Sequence, residues 1–327
     1  MHVYVMKMHT PAPAAVGVVG AAGYTGIETL RLLARHEGVS VRFATSQREA
    51  GAPSGVPGLR LSAPGEVDPG DLDVLFLCVP HGKAVGWAER ARQAGTRVVD
   101  LTADHRPGSG REALAVYGLA DLSPAPVRDA ALVANPGCYP TGVLLALEPL
   151  AAEGLLDTTS PVVINAASGV TGAGRSPRRE LLFAEVAGDY RAYATGNVHR
   201  HLHEMRALLP EIQLLFQPHL LPIPRGILET IYLPVADGVD AIRIRQAWTE
   251  RYASNPTIRV NPEGLPSLSQ VVGTDLLALG AVDNEGVGSA VVTAVAALDN
   301  LGKGAAGQAL QNMNLMLGFP PAEGLRC

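Results

Sequence analysis

Three observations predict a chain that is α/β plus α+β: a doubly wound, Rossmann-type N-terminal domain with an inserted mixed α+β domain. Up to about residue 150, short apolar runs alternate with helix-like segments, the βαβ pattern of a doubly wound sheet. The strand-like runs there are continuous in Val and Leu rather than alternating, as a sheet covered on both faces requires. Beyond that point strand-like runs crowd together with few helices between them, the texture of an α+β unit.

The elements follow in order. "AVGVVG" (15–20) reads as the first strand, and "GIETLRLLARH" (26–36) as a helix with Ile27, Leu30, Leu33 and Ala34 on one face. "VSVRFATS", "DVLFLCVP" and "TRVVDLT" are the next three strands, and "GKAVGWAERARQAG" is the helix between the last two. "TGVLLALEPLAAEG" is a helix that buries Leu144, Leu145 and Leu147, with Pro140 at its first position, where a missing N–H costs nothing. "PVVINAAS", "EIQLLFQPHLLP", "GILETIYLPV", "DLLALGAV" and "GSAVVTAVAAL" are strands, and "DAIRIRQAWTERYA" (240–253) is a helix. The closing "DNLGKGAAGQALQNMNLMLGF" becomes helical past its glycines, and no internal repeat or low-complexity segment occurs.

The bulk properties narrow the function classes. A chain of 327 residues, 47% hydrophobic, has ample material for two buried cores. A net charge of −5, without a Lys/Arg stripe interleaved with aromatics, argues against nucleic acid as partner. No apolar run reaches the ~18 residues of a membrane span. "MHVYVMKMHTPAPAA" lacks the sustained apolar centre of a secretory signal. Residues 1–15 therefore read as a flexible leader, with Met6 or Met8 as possible starts and the cytoplasm as default location. The three cysteines are too few for a disulfide scaffold. Cys78 lies within an apolar strand and Cys327 ends the chain, which leaves Cys138 to explain.

"GAAGYTG" (20–26) falls where the first strand turns into the first helix. Gly20, Gly23 and Gly26 permit a tight turn and a close backbone approach, and the helix N-terminus at Tyr24 and Thr25 offers free N–H groups to a pyrophosphate. The end of the second strand, "TSQRE", carries Ser46 and Arg48 where an NAD site usually has a carboxylate. A hydroxyl and a guanidinium suit a ribose 2′-phosphate, so NADP(H) is the expected cofactor, although Glu49 stands close by. Pro80 and His81, at the end of the third strand, are expected on the ligand side of the sheet.

In "ANPGCYPTG" (134–142), Cys138 stands at the start of a helix and at the C-terminal edge of the sheet. Partial positive charge there favours the thiolate, the form that attacks carbon. "GNVHRHLHEM" (196–205) supplies His199, His201 and His203 as candidate proton handlers. Their alternation raises two other readings: a strand face that holds a metal, for which no other Cys/His cluster supplies further ligands, or a polar surface loop. Arg106, past the fourth strand, and the loop "SGVTGAGR" (168–175), which opens with Ser168 and Gly169 and closes with Arg175, can hold an anion.

Taken together, "GAAGYTG", "DLTADHR", "NPGCYPTG", "SGVTGAGR", "HRH", "PRGILETIY" and "DNLGKGAAGQA" resemble, in order, the N-acetyl-γ-glutamyl-phosphate reductases of the aspartate-semialdehyde dehydrogenase superfamily. The resemblance implies a Rossmann domain over residues 16–142 and 299–327 and a catalytic, oligomer-forming α+β domain over 143–298. It implies NADPH as reductant, an acyl-phosphate substrate, no metal, and a homodimer or homotetramer. By the same resemblance Cys138 is the nucleophile and His201 the acid/base, with His199 as runner-up. Arg106 holds the departing phosphate, and Asn300 lies near the nicotinamide. Asn135, Ser168, Gly169 and Arg175 are the further candidates for substrate and phosphate, and Arg175 and Arg225 for the acetamido and carboxylate ends. Two departures stand out: His203 replaces the proline usual after the HRH motif, and His105 stands where phenylalanine is usual. The rivals are the lysine-pathway relative that reduces a carrier-bound aminoadipyl phosphate, and a non-catalytic NADP-binding sensor on the same fold.

Overall fold

In the computed structural model, which describes residues 12–286 and 291–327, the chain builds two seven-stranded sheets. Across the first sheet run Leu61–Ser62, Val39–Thr45, Ala14–Val19, Val74–Leu77, Arg97–Asp100, Leu132–Ala134 and Val116–Tyr117, every neighbouring pair parallel. The order reverses between Ala14–Val19 and Val74–Leu77, which opens a crevice at the C-terminal ends of those strands. All four residues of Val74–Leu77 are buried, because helices cover both faces. Tyr24–Leu33 and the C-terminal Gly307–Leu317 pack on one face, and Val85–Gln93 on the other. The doubly wound fold is therefore present. Of the leader, residues 1–11 lie outside the described residues, and Ala14 and Ala15 already belong to the first strand.

The helix Cys138–Ala152 starts two residues earlier than its proline indicates: Gly137 is the N-cap and Pro140 the third residue. The first four amides of a helix lack an intrahelical acceptor in any case, so a proline there still costs no hydrogen bond. Tyr139, Val143, Leu144, Leu145, Leu147 and Leu150 all enter the core of the second domain. Burial of each leucine contributes roughly 1.5–3 kcal/mol. The core of the second domain takes up the chain from Cys138 onward and also holds Leu119 from the segment before it. Pro149 inside the helix frees the Leu145 carbonyl, which accepts instead from the Tyr252 hydroxyl at 2.6 Å.

The second sheet is mixed, in the order Ile258–Val260, Leu277–Asp283, Val291–Leu298, Ile227–Pro234, Val162–Gly169, Leu214–Leu221 and Arg191–Ala192. Its helices, Cys138–Ala152, His201–Leu208 and Ala241–Arg251, bury one face, so that Val162, Ile164 and Ala166 are covered while Val163, Asn165 and Ala167 are only half-buried. The segment 196–205 divides: residues 196–200, with His199, are turn and loop, and His201–Leu208 is a helix, so the histidines do not line up on a strand face and His203 turns to pack on Gly108. Asn197, with a left-handed φ of 61°, anchors the approach to this helix. Its side chain donates to the Leu214 carbonyl at 2.9 Å and accepts from the Phe216 amide at 2.8 Å.

After Val291–Leu298 the chain returns to the first domain through one π-helical turn, Gly302–Ala306. Lys303 in that turn is wholly buried, its ammonium 2.5 Å from Asp121 and 2.8 Å from the Thr257 hydroxyl. This charge-assisted cluster fastens both domains to the returning segment.

Candidate active site

The centre of the site is Gly137. A Cβ there would lie 2.7 Å from His201 Nε2 and 2.9 Å from Glu204 Oε1, so the turn before Cys138 needs glycine to admit both side chains. The Gly137 amide donates to Glu204 Oε2 at 2.8 Å, and the Tyr117 hydroxyl donates to the same oxygen at 2.8 Å. Glu204 Oε1 stands 3.6 Å from Arg106 Nη1 and 3.9 Å from His201 Nε2. Sequence reasoning missed Glu204 as the buried hub of the site; its three-residue spacing from His201 on one helix was the available signal.

Cys138 is partly exposed, with its Cβ against Gly304 of the π-helical turn. Burial pushes its thiol up to about 11, and Arg106, the Tyr139 amide and Arg200 pull against that rise. Burial therefore favours the thiol in the free protein, against the partial positive charge of the helix N-terminus, which favours the thiolate. By comparison Cys78 is buried, and burial pushes it up to about 12.

The two candidate histidines differ in what they are free to do. Nδ1 of His199 accepts from the His201 amide at 3.2 Å, which caps the helix and commits that nitrogen. Nδ1 of His201 is buried without a partner among the described residues. Both rings sit in an aromatic nest with Tyr139 and Phe216, and their own centroids are 4.7 Å apart. Burial, and then the charge of Arg200, lower His199 to about 4. Burial lowers His201 well below its ordinary value, helped by His199, Arg106 and Arg200. Both imidazoles are neutral near pH 7.

Arg106 is held rigidly, its Nε donating to the Asn135 carbonyl at 2.7 Å and its Nη2 to the Leu101 carbonyl at 2.8 Å. Arg200, between the two histidines, is exposed, and its side chain makes no hydrogen bond or ion pair among the described residues. Sequence reasoning left it without a role. His105 pairs with Asp100 at 2.6 Å, deep beside this group.

The other candidates already have protein partners. The Asn135 side chain is fully buried, donating to the Ala305 carbonyl and accepting from Asn312. It positions the turn ahead of Cys138. The Asn300 amide accepts from the Gly226 amide and donates to the Thr171 hydroxyl, each at 2.8 Å, and so ties two loops together. The Ser168 hydroxyl donates to the Gly169 carbonyl, and a Cβ on Gly169 would strike the Arg225 amide at 2.8 Å. Arg225 pairs through Nη1 with Glu28 and through Nε with Asp299, and its buried Nη2 has no partner among the described residues. Arg175 reaches away from Cys138, to the Ala22 carbonyl and Glu49.

The glycine turn has the form of a nucleotide cradle. Side chains at Gly20 or Gly26 would strike backbone at 2.5 and 2.4 Å, whereas at Gly23 nothing lies closer than 3.4 Å. Packing explains the first two glycines, and a group that approaches the helix start explains the third. Gly23 caps Tyr24–Leu33 without a side-chain bond, which leaves the first amides of that helix free. Ser46 is buried at the tip of Val39–Thr45, and Arg48 is exposed two residues on. Pro80 is exposed just beyond the end of Val74–Leu77.

Comparison with known proteins agrees with this architecture. Residues 15–130 match the family model described as semialdehyde dehydrogenase, NAD binding domain, and residues 138–300 the one described as semialdehyde dehydrogenase, dimerisation domain. The N-acetyl-gamma-glutamyl-phosphate reductase of Geobacter sp. (strain M21) is 40% identical over 95% of this chain and 97% of its own length. That of Bordetella avium (strain 197N) is 39% identical over 95% of each chain. Among solved structures, aspartate semialdehyde dehydrogenase II from Vibrio cholerae superposes with a TM-score of 0.79 at 19% identity, over 94% of this chain and 99% of the other, a likeness of fold.

Proposed function

This chain belongs to the N-acetyl-γ-glutamyl-phosphate reductase family, and from that membership we propose how its residues divide the reaction. The enzyme is an oxidoreductase of arginine biosynthesis that converts N-acetyl-L-glutamyl 5-phosphate to N-acetyl-L-glutamate 5-semialdehyde and phosphate. The observation that carries the assignment of roles is the convergence on one turn of a partly exposed thiol, a buried imidazole with an unpartnered nitrogen, and two arginines.

Cys138 begins as a thiol and His201 as a neutral imidazole that burial first, and the nearby guanidinium charges in addition, keep from accepting a proton. A substrate phosphate beside Arg106 and Arg200 cancels much of that positive field. The imidazole then becomes basic enough to take the thiol proton as the S–C bond forms. The Tyr139 amide, at the start of the helix, faces the sulfur and steadies its negative charge. The C–O bond to phosphate breaks, phosphate leaves along the arginines, and a thioester remains on Cys138. We assign NADPH to the glycine turn, held by the free amides of the Tyr24–Leu33 helix with Ser46 and Arg48 at the ribose phosphate; when bound it supplies the hydride. His201 gives its proton to the carbonyl-derived oxygen; as the C–S bond opens it takes that proton back and passes it to the Cys138 sulfur, which restores the thiol and releases the semialdehyde. His199 is the cap that orients His201.

The open face of the second sheet, where half-buried Val163 and exposed Tyr232 stand opposite each other on neighbouring strands, is the surface we assign to a homodimer. Of the described helices, none is long and apolar enough to cross a membrane.

The test is phosphate-dependent oxidation of the semialdehyde by NADP⁺. Cys138→Ser should retain cofactor binding and lose nearly all turnover, and His201→Asn should lose roughly 10²–10⁴-fold in kcat. Full activity in Cys138→Ser removes the covalent scheme. A loss confined to His199→Asn reassigns the acid/base.

A further inference from the structure

We propose that Arg175 sets the choice of cofactor instead of binding substrate: it reaches from the second domain to the glycine turn, neutralises Glu49, and offers its remaining donors to the ribose 2′-phosphate. The proposal rests on the NADP reading above and deepens it.

Arg175 closes the loop that follows Val162–Gly169, and Gly174 before it has a left-handed φ of 86° that turns the arginine outward. Its Nη1 donates to the Ala22 carbonyl at 2.6 Å, inside the glycine turn, and to Glu49 Oε1 at 2.9 Å. Glu49 in turn is fixed beside Ser46, because its amide donates to the Ser46 hydroxyl at 3.1 Å. The guanidinium therefore sits over the tip of Val39–Thr45, where the adenosine ribose of a dinucleotide lies in a doubly wound sheet.

The charge pattern at this tip is otherwise a contradiction. Ser46 and Arg48 favour a 2′-phosphate, while Glu49 would repel one and favour a free ribose hydroxyl. Arg175 resolves it. Only Nη1 is engaged among the described residues, so Nε and Nη2 remain to meet a phosphate oxygen while Glu49 stays paired. Both side chains are nearly half exposed, at 46% and 44%, so the ion pair is weak and free to adjust when a dianion arrives. The same bridge makes the nucleotide a contact between the two domains.

The experiment is calorimetric titration of the full chain with 2′,5′-ADP and with 5′-AMP, for the wild type, Arg175→Met, and the double variant Arg175→Met/Glu49→Gln. The wild type should bind 2′,5′-ADP more tightly than 5′-AMP. Arg175→Met should weaken 2′,5′-ADP roughly 10–100-fold, the worth of a charge-assisted hydrogen bond. Its 5′-AMP affinity should stay within about twofold, which also reports an intact fold. Adding Glu49→Gln should recover part of the loss. A wild type without preference removes the NADP reading, and this proposal with it. A preference that survives Arg175→Met, an equal loss for 5′-AMP, or no recovery in the double variant overturns the proposal alone.

Discussion

Gly137→Ala isolates the geometry around which the site is built. The backbone raises no objection, because Gly137 has φ −67° and ψ 155°, a conformation any residue adopts. Space is the obstacle. The new methyl would meet His201 Nε2 at 2.7 Å, His201 Cδ2 at 2.8 Å and Glu204 Oε1 at 2.9 Å. Comfortable contact begins near ~3.5 Å, so the imidazole must retreat by about 0.8 Å. It has no room to do so: His201 is 4% exposed and Glu204 2%, and the ring is packed against Tyr139. Overpacking of this kind costs roughly 1–3 kcal/mol of stability. A shift of that order in a catalytic group lowers turnover about 10²-fold. Steady-state kinetics of semialdehyde oxidation should show kcat down by about two orders of magnitude with KM for NADP⁺ little changed, and iodoacetamide should still alkylate Cys138. Wild-type kcat in a folded Gly137→Ala enzyme would refute a catalytic role for the close contact between Gly137 and the His201–Glu204 pair.

Two further predictions address the carboxylates. Glu204→Gln keeps an acceptor for the Gly137 amide but removes the negative charge beside His201, whose value, already lowered, must fall further. The acidic limb of the pH–rate profile should move to lower pH, with kcat reduced about tenfold; an upward shift would contradict the arrangement. Glu229 is fully buried with neither oxygen partnered among the described residues, and burial raises it well above its ordinary value. The native carboxyl then stays protonated where the unfolded one ionises, so stability falls as pH rises above the usual carboxylate range, by about 1.4 kcal/mol per pH unit. Urea midpoints across that range should slope downward for the wild type, and a Glu229→Gln curve with the same slope would rule Glu229 out as its source.

What could be read in advance follows the range of the interactions. The parallel strands and the Cys138 helix announce themselves because their apolar runs are local and continuous, as in Val74–Leu77 and Val143–Leu147. The helix His201–Leu208 does not: it is eight residues long, starts on a polar HRH run, and owes its placement to Asn197 gripping a distant strand. Glu204 was hidden for the same reason, since Gly137, Tyr117 and Arg106 come from three separate segments. For Asn300 the signal toward the nicotinamide is the family resemblance alone. The protein partners of Asn135 and Asn300, Asn312 and Ala305 for one and Thr171 and Gly226 for the other, come together only through folding. Arg175 was assigned to substrate by its neighbours in sequence, and its reach to Ala22 spans 153 positions along the chain.

The return of Gly307–Leu317 to the first domain reorders the life of the chain on the ribosome. The domain whose strands emerge first lacks one covering layer until the last residues are made, because Ala309, Leu310 and Met313 seal the face that Leu30, Leu33 and Val133 present. Until then Tyr24–Leu33 covers that face alone and part of it stays bare, and a nascent chain with bare apolar surface is a natural client for chaperones. A premature stop near the end would therefore unmake the beginning, and only full-length chains would present a finished nucleotide domain.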